Sequence, residues 1–147
     1  MKLVDLNLLI YAVNRDAPHH GAARRWWEGC LSSGEPIALA WVVILGFIRI
    51  TTNERIMPKP LSSDEAIGSV DSWLNQPNVR VVSPTERHWD IFRQIISPLG
   101  SAGNLTTDAH LAALAIEHGA TLYSTDVDFS RFQMLQWINP LNPSSDQ

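Results

Sequence analysis

Lys2-Leu3-Val4-Asp5-Leu6-Asn7 is the stretch from which the fold can be read. A short apolar run ends in a carboxylate. Strands covered on both faces tend to be apolar throughout, so an acid there is out of place unless it turns into a crevice at the strand end. The last clear apolar run repeats the arrangement, Thr121-Leu122-Tyr123-Ser124-Thr125-Asp126, with Asp128 just beyond it. In a parallel α/β sheet the carboxyl ends of the strands share one edge, and ligand sites lie outside that edge. Two strand-end acids far apart in sequence are therefore expected to meet.

Working outward, strand and helix patterns alternate. Lys2 to Leu6 reads as a buried strand and Asn7 to Val13 as the start of a helix. Pro18 to Leu31 carries Ala22, Trp26 and Cys30 at helical spacing, with Ala23 and Trp27 beside them, and Ser32-Ser33-Gly34 stops it. Pro36 to Ala40 is a second strand. Trp41 to Thr52 is apolar on nearly all sides, which predicts a helix buried in the domain or at an interface. Leu61 to Gln76 is a helix with a serine cap at Ser62 or Ser63 and acids in its first turn. Val79 to Val82 is a third strand. A helix is expected from Pro84, as a first-turn proline, to about Leu99, with Trp89, Phe92 and Ile96 inward. Asn104 to His118 is a helix closed by Gly119. Leu122 to Thr125 is a fourth strand, Asp126 to Arg131 a helical turn, and Leu135 to Ile138 a fifth strand. This alternation predicts a three-layer α/β/α domain around a mainly parallel sheet of about four to five strands. It fills residues 1–141 and leaves 142–147 as a polar tail.

Composition sets bounds. The chain has 147 residues, enough for one sizeable core. The apolar stretch from Ala38 to Ile48 is too short to span a bilayer, and no signal-peptide pattern opens the chain, so a cytoplasmic protein is expected. A single cysteine, Cys30, allows no internal disulfide. The net charge of -4 argues against binding nucleic acid through a broadly basic surface. It does not exclude a site whose acids are neutralised by a metal.

Asp108 sits near the start of the most regular helix, and its neighbours at helical spacing are Leu111, Ala112 and Ala115. It is therefore expected to face the sheet. Each acid also has an ordinary reading: Asp5 and Asp126 as helix N-caps, Asp108 and Asp128 as first-turn acids. What separates the readings is joint placement of Asp5, Asp108 and Asp126 on one side of the sheet. Clustered carboxylates repel unless a cation joins them. Hard oxygen ligands select Mg²⁺ or Mn²⁺, and no His/Cys set with zinc spacing is present. Such a site can hydrolyse a phosphodiester.

Val4-Asp5-Leu6-Asn7 with Leu8-Leu9-Ile10-Tyr11, the stretch from Trp41 to Asn53, Asn104-Leu105-Thr106-Thr107-Asp108-Ala109-His110-Leu111-Ala112-Ala113-Leu114-Ala115, and Ser124-Thr125-Asp126-Val127-Asp128-Phe129 together resemble the PIN-domain ribonucleases. The likeness is greatest to the toxins of VapBC toxin–antitoxin modules, and it covers nearly the whole chain. It implies a PIN fold and an Mg²⁺- or Mn²⁺-dependent endoribonuclease acting as the toxin of a type II toxin–antitoxin pair. It matches Asp5, Asp108 and Asp126 to metal ligands and Asp128 to an accessory catalytic acid. Asn7, Ser124 and Thr125 match polar supports, and Arg49 is a candidate contact to phosphate or carboxylate. The implied substrate is tRNA or ribosomal RNA. The implied partners are a small antitoxin laid into an apolar groove and a second copy of the chain, with no membrane. One departure stands out: Gly46 lies where many relatives carry a glutamate. It motivates the alternative of a catalytically weakened PIN-fold module that binds RNA or a partner. An aspartyl phosphatase built on Asp5 is disfavoured because the second acid it needs, at position 7, is Asn7.

Among the remaining residues, Trp26, Trp41, Trp73 and Trp89 fall on apolar positions and are expected in the core or at an interface. Trp27, beside Arg24-Arg25, is a candidate for a partner surface. His88 and His118 are expected at the surface, and His110 is given a structural role because it points away from Asp108.

Overall fold

The protein is described here from a computed structural model, in which residues 1–142 are defined; the expected polar tail lies outside the described residues apart from Asn142. The chain runs β1 (Lys2–Val4), α1 (Leu6–Val13), α2 (His20–Ser32), β2 (Ile37–Ala40), α3 (Trp41–Thr51), α4 (Ser63–Leu74), β3 (Val79–Val82), α5 (His88–Ile96), α6 (Thr106–Glu117), β4 (Thr121–Tyr123) and β5 (Trp137–Ile138). The five strands form one sheet in the order β3-β2-β1-β4-β5, and every pairing is parallel.

This order explains where a site can form. β1 is central, with β2 on one side and β4 on the other. Right-handed crossovers that leave β1 in one direction and arrive at β4 from the other put their helices on opposite faces. The four helices α1 to α4 accordingly pack among themselves, while α5 packs on α6. A crevice opens where the direction reverses, at the carboxyl ends of β1 and β4. Asp5 leaves the first of these strands and Ser124 the second.

The core sits on both faces of the sheet. All four residues of β2 are buried, as a doubly covered parallel strand requires. Phe47, Leu8, Leu9, Leu114 and Phe129 are enclosed around it. Burying a side chain such as Phe47 contributes up to about 3 kcal/mol. The ring of Phe47 meets Trp73 edge-on, and Trp73 meets Trp27 the same way, which joins α3, α4 and α2.

Several boundaries differ from the sequence reading, for identifiable reasons. β1 ends at Val4, because the Asp5 carboxylate accepts the Leu6 N–H and starts α1 one residue earlier than expected. Pro84 does not begin α5. Thr85 N–H donates to the carboxylate of Glu117, and Thr85 Oγ1 accepts the Arg87 N–H, so the helix starts at His88. Trp89 does not point inward and is 65% exposed. Of the two candidate serine caps of α4, Ser62 is the one used, and it forms a capping box in which Ser62 and Glu65 are bonded reciprocally. Gly119 takes the left-handed conformation after α6 with φ 65°. No helix among the described residues is long and apolar enough to cross a membrane.

Candidate metal centre

Asp5 comes to the crevice from β1. It is mostly buried, and both oxygens are held: Oδ1 accepts the Leu6 N–H at 2.7 Å, and Oδ2 accepts the Ser124 hydroxyl at 2.6 Å. Burial pushes its carboxyl above the usual range, against the two hydrogen bonds, and Asp126 pushes the same way. The N-cap reading and the crevice reading of Asp5 are thus both satisfied by one side chain.

Ser124 links the two strand ends. Its hydroxyl donates to Asp5 and accepts the Asp126 N–H at 3.0 Å, while its own carbonyl accepts the indole N–H of Trp137. Being fully buried with this set of partners, it holds a fixed orientation. Asp126 caps the helical turn Val127–Arg131 by accepting the Asp128 N–H at 2.9 Å. Asp128 lies 3.7 Å from the Arg131 guanidinium.

Asp108, in the first turn of α6, completes the group. Asp108, Asp126 and Asp128 can each present an oxygen within 4.8 Å of the others. Asp108 is pushed up to about 6, first by burial and then by Asp126, Asp5 and Asp128 in turn. No basic side chain of the described residues pairs with Asp5, Asp108 or Asp126. Three carboxylates crowded to this degree are a donor set that suits a divalent cation with oxygen ligands.

The neighbouring polar residues divide. Asn7 lies in the first turn of α1, and its Oδ1 is buried without a hydrogen-bond partner. A buried amide oxygen in that state calls for a water or a cation. Thr125 lines an adjoining cleft with Tyr11 and His19. Arg49 is exposed on the last turn of α3 and pairs with no acid of the described residues. Gly46 is buried, and a Cβ built there would lie 2.8 Å from Leu6 Cδ2. Leu6 fills the space that a side chain from α3 would need, so no acid enters the crevice from that helix.

Two residues that sequence reasoning set aside form a second polar cluster. His88, expected at the surface, is largely enclosed: its Nδ1 makes a short bond to the Glu117 carboxylate, and its Nε2 lies 2.9 Å from His110 Nδ1. Glu117, not singled out in the sequence, is fully buried in its side chain and also accepts the Thr85 N–H. His110 titrates below its usual range because of burial and then the neighbouring His88. Trp27 is buried rather than at a partner surface, whereas Trp41 is 54% exposed.

The PIN domain profile matches residues 2–134. Ribonuclease VapC37 of Mycobacterium tuberculosis is 44% identical over 140 residues, which is 95% of this chain and 97% of that protein. Ribonuclease VapC33 of the same species is 42% identical over 96% of this chain and 99% of its own length. Among solved structures, VapBC2 from Rickettsia felis bound to a promoter DNA fragment superposes with a TM-score of 0.70 at 19% identity, covering 94% of this chain and 97% of that one. VapC20 of Mycobacterium tuberculosis, a sarcin-ricin loop cleaving toxin, superposes with a TM-score of 0.62 at 21% identity, covering 88% and 93%. With the profile spanning the domain and close relatives aligned along almost their full length, this chain belongs to the PIN domain family.

Proposed function

We propose that the protein is a metal-dependent endoribonuclease and the toxin of a type II toxin–antitoxin pair. The observation that carries this reading is the crowding of Asp108, Asp126 and Asp128, with Asp5 beside them, at the carboxyl edge of β1 and β4, where Arg131 reaches Asp128 alone and no basic residue of the described residues pairs with Asp5, Asp108 or Asp126. Ribonuclease names among relatives above 40% identity support it.

In this reading Asp5, Asp108 and Asp126 hold Mg²⁺ or Mn²⁺, and Asp128 helps orient the attacking water. A bound divalent ion would neutralise charge on the phosphate and lower the pKa of that water. The protein's own part is to fix the carboxylates. Ser124 ties Asp5 to the Asp126 backbone, and the Asp126 cap holds the turn that carries Asp128. Arg49 is the candidate phosphate contact. The substrate is RNA, with tRNA or ribosomal RNA favoured by the family. An antitoxin segment has two adjoining clefts open to it along α1, α2 and α4, which share Val13 and Ser69 and include Met57, Leu61, Leu31 and Trp73. A second copy of the chain would cover Trp41, Leu45 and Trp89, which are large apolar side chains left exposed.

The test is cleavage of total cellular RNA by purified protein free of any partner, with Mg²⁺, Mn²⁺ or EDTA. Discrete fragments that require metal and disappear in Asp5→Asn and Asp108→Asn are expected. A folded, metal-binding protein that cuts nothing would sink the nuclease reading and favour a PIN-fold binding module, with Gly46 as the site of the loss.

A further inference from the structure

We propose that His88 and His110 form a second metal site, for a borderline transition cation of the Ni²⁺ or Cu²⁺ class, chemically separate from the acid crevice. His88 Nδ1 is engaged by Glu117, so the lone pair of the neutral ring lies on Nε2. That lone pair faces His110 Nδ1 at 2.9 Å. Without a cation, the two rings share one proton as a hydrogen bond. With one, the proton of His110 moves from Nδ1 to Nε2 and both facing nitrogens become ligands, with no net change in protein charge.

The surroundings fit a ligand pair. A carboxylate behind a histidine fixes its tautomer and raises its basicity, the usual support for a metal-binding imidazole. Glu117 is itself fixed by the Thr85 N–H, and its backbone carbonyl is held by the Arg87 guanidinium. The cation's other positions would open into a cleft of 390 Å³ bordered by Val42, Trp89, Phe92, Thr106 and Thr107, with room for water ligands.

The spacing, set by the hydrogen bond that the cation would replace, already matches one class of ion. With metal–nitrogen bonds of about 2.0–2.1 Å, nitrogens 2.9 Å apart subtend roughly 90° at the metal. A tetrahedral ion such as Zn²⁺ would need them about 3.3–3.4 Å apart. The observed gap suits the square-planar or octahedral angles of Cu²⁺ and Ni²⁺, and imidazole ligands suit these ions better than they suit Mg²⁺. The site depends on the packing of α5 against α6 and not on the nuclease reading.

The experiment uses the full, tag-free chain titrated with Cu²⁺ and followed by electron paramagnetic resonance, with Ni²⁺ binding measured by calorimetry. One equivalent of Cu²⁺ showing hyperfine coupling to two imidazole nitrogens is expected, and it should persist in Asp108→Asn. His110→Ala should abolish the two-nitrogen signal and weaken Ni²⁺ binding by about tenfold or more. His88→Ala should do the same. If that variant unfolds because Glu117 loses a partner, His110→Ala, with its fold checked by circular dichroism, decides alone. The proposal is overturned by absence of stoichiometric binding or by an oxygen-only signal that Asp108→Asn removes. A two-nitrogen signal surviving in His110→Ala also overturns it, since the adjacent His19 and His20 would then be the ligands.

Discussion

Asp108 and Glu117 stand about two and a half turns apart on α6, and the fold treats them in opposite ways. Glu117 is enclosed and saturated, with Thr85 N–H and His88 on its carboxylate. Asp108 is half-buried, accepts no hydrogen bond from the described residues, and faces three other acids. One acid ties α6 to the segment that leads into α5. The other is held in a place that costs stability unless something positive arrives. A carboxylate kept under repulsion points to function more strongly than one that is well satisfied.

The sharpest way to break this contrast is to remove each acid in turn. Asp108→Asn should lower RNA cleavage by about 100- to 1,000-fold, on the order of losing one electrostatic stabiliser of a transition state, while raising the melting temperature of metal-free protein at pH 7. Glu117→Ala should instead lower stability. It leaves a buried N–H and an imidazole without their acceptor, and about 3 kcal/mol of stability should disappear in urea unfolding. If Glu117→Ala proves as stable as the parent, the contrast fails. Next in size, Ser124→Ala removes a hydroxyl that serves both Asp5 and the Asp126 N–H. A loss of about 1–2 kcal/mol is expected, together with weaker Mn²⁺ binding in a calorimetric titration.

The pH dependence sharpens the comparison further. Asp108 keeps its proton up to about pH 6 in the fold, whereas in the unfolded chain it loses it near about pH 4. Between those values the folded state binds more protons, so stability falls as pH rises through that window. For a group this exposed, screening should hold the effect to about 1 kcal/mol. His110, held below its usual range, acts the other way as pH rises, so the Asp108 contribution is read as a difference: going from pH 5 to pH 7 should cost the metal-free parent more melting temperature than it costs Asp108→Asn, and Mg²⁺ should reduce that difference. The smallest effect expected is at Gly46. An alanine there gains about 1 kcal/mol of helix propensity but must displace the end of the Leu6 side chain. Net stability should change by under about 1 kcal/mol, and a larger loss would mean that Leu6 cannot move.

Local signals in the sequence located the strands, the serine cap of α4 and the glycine after α6, because caps and apolar periods act over a few residues. The crevice acids were also legible, since strand ends in a parallel sheet share an edge. What was not legible depended on helix phase and on helix-to-helix placement. On α2 the spacing allowed a stripe through Ala22, Trp26 and Cys30, but the buried stripe is Ala23, Trp27 and Cys30. Adjacent tryptophans differ by about 100° around a helix, and only the partner helices decide which turns in. Glu117 lies on the same stripe as His110, two turns on. The ring that bridges them comes from α5, and no local pattern announces that pairing. His88 therefore read as a surface residue.

The central position of β1 has a consequence for how the molecule is made. Residues 2–4 lie between β2, which follows early, and β4, which follows near the far end of the sequence: Lys2 and Leu3 align with Ile37 and Ala38 on one side, and Lys2, Leu3 and Val4 with Thr121, Leu122 and Tyr123 on the other. Contacts this distant in sequence close late. On a ribosome the first strand can pair with β2 early, but it must wait for nearly the whole chain before its second neighbour, β4, exists. Asp5 cannot meet Ser124, and the acid crevice cannot assemble, until the last sixth of the polypeptide has emerged. A truncated or stalled product would therefore carry Asp5 without the crevice, and the hazard of a nuclease would be confined to finished chains.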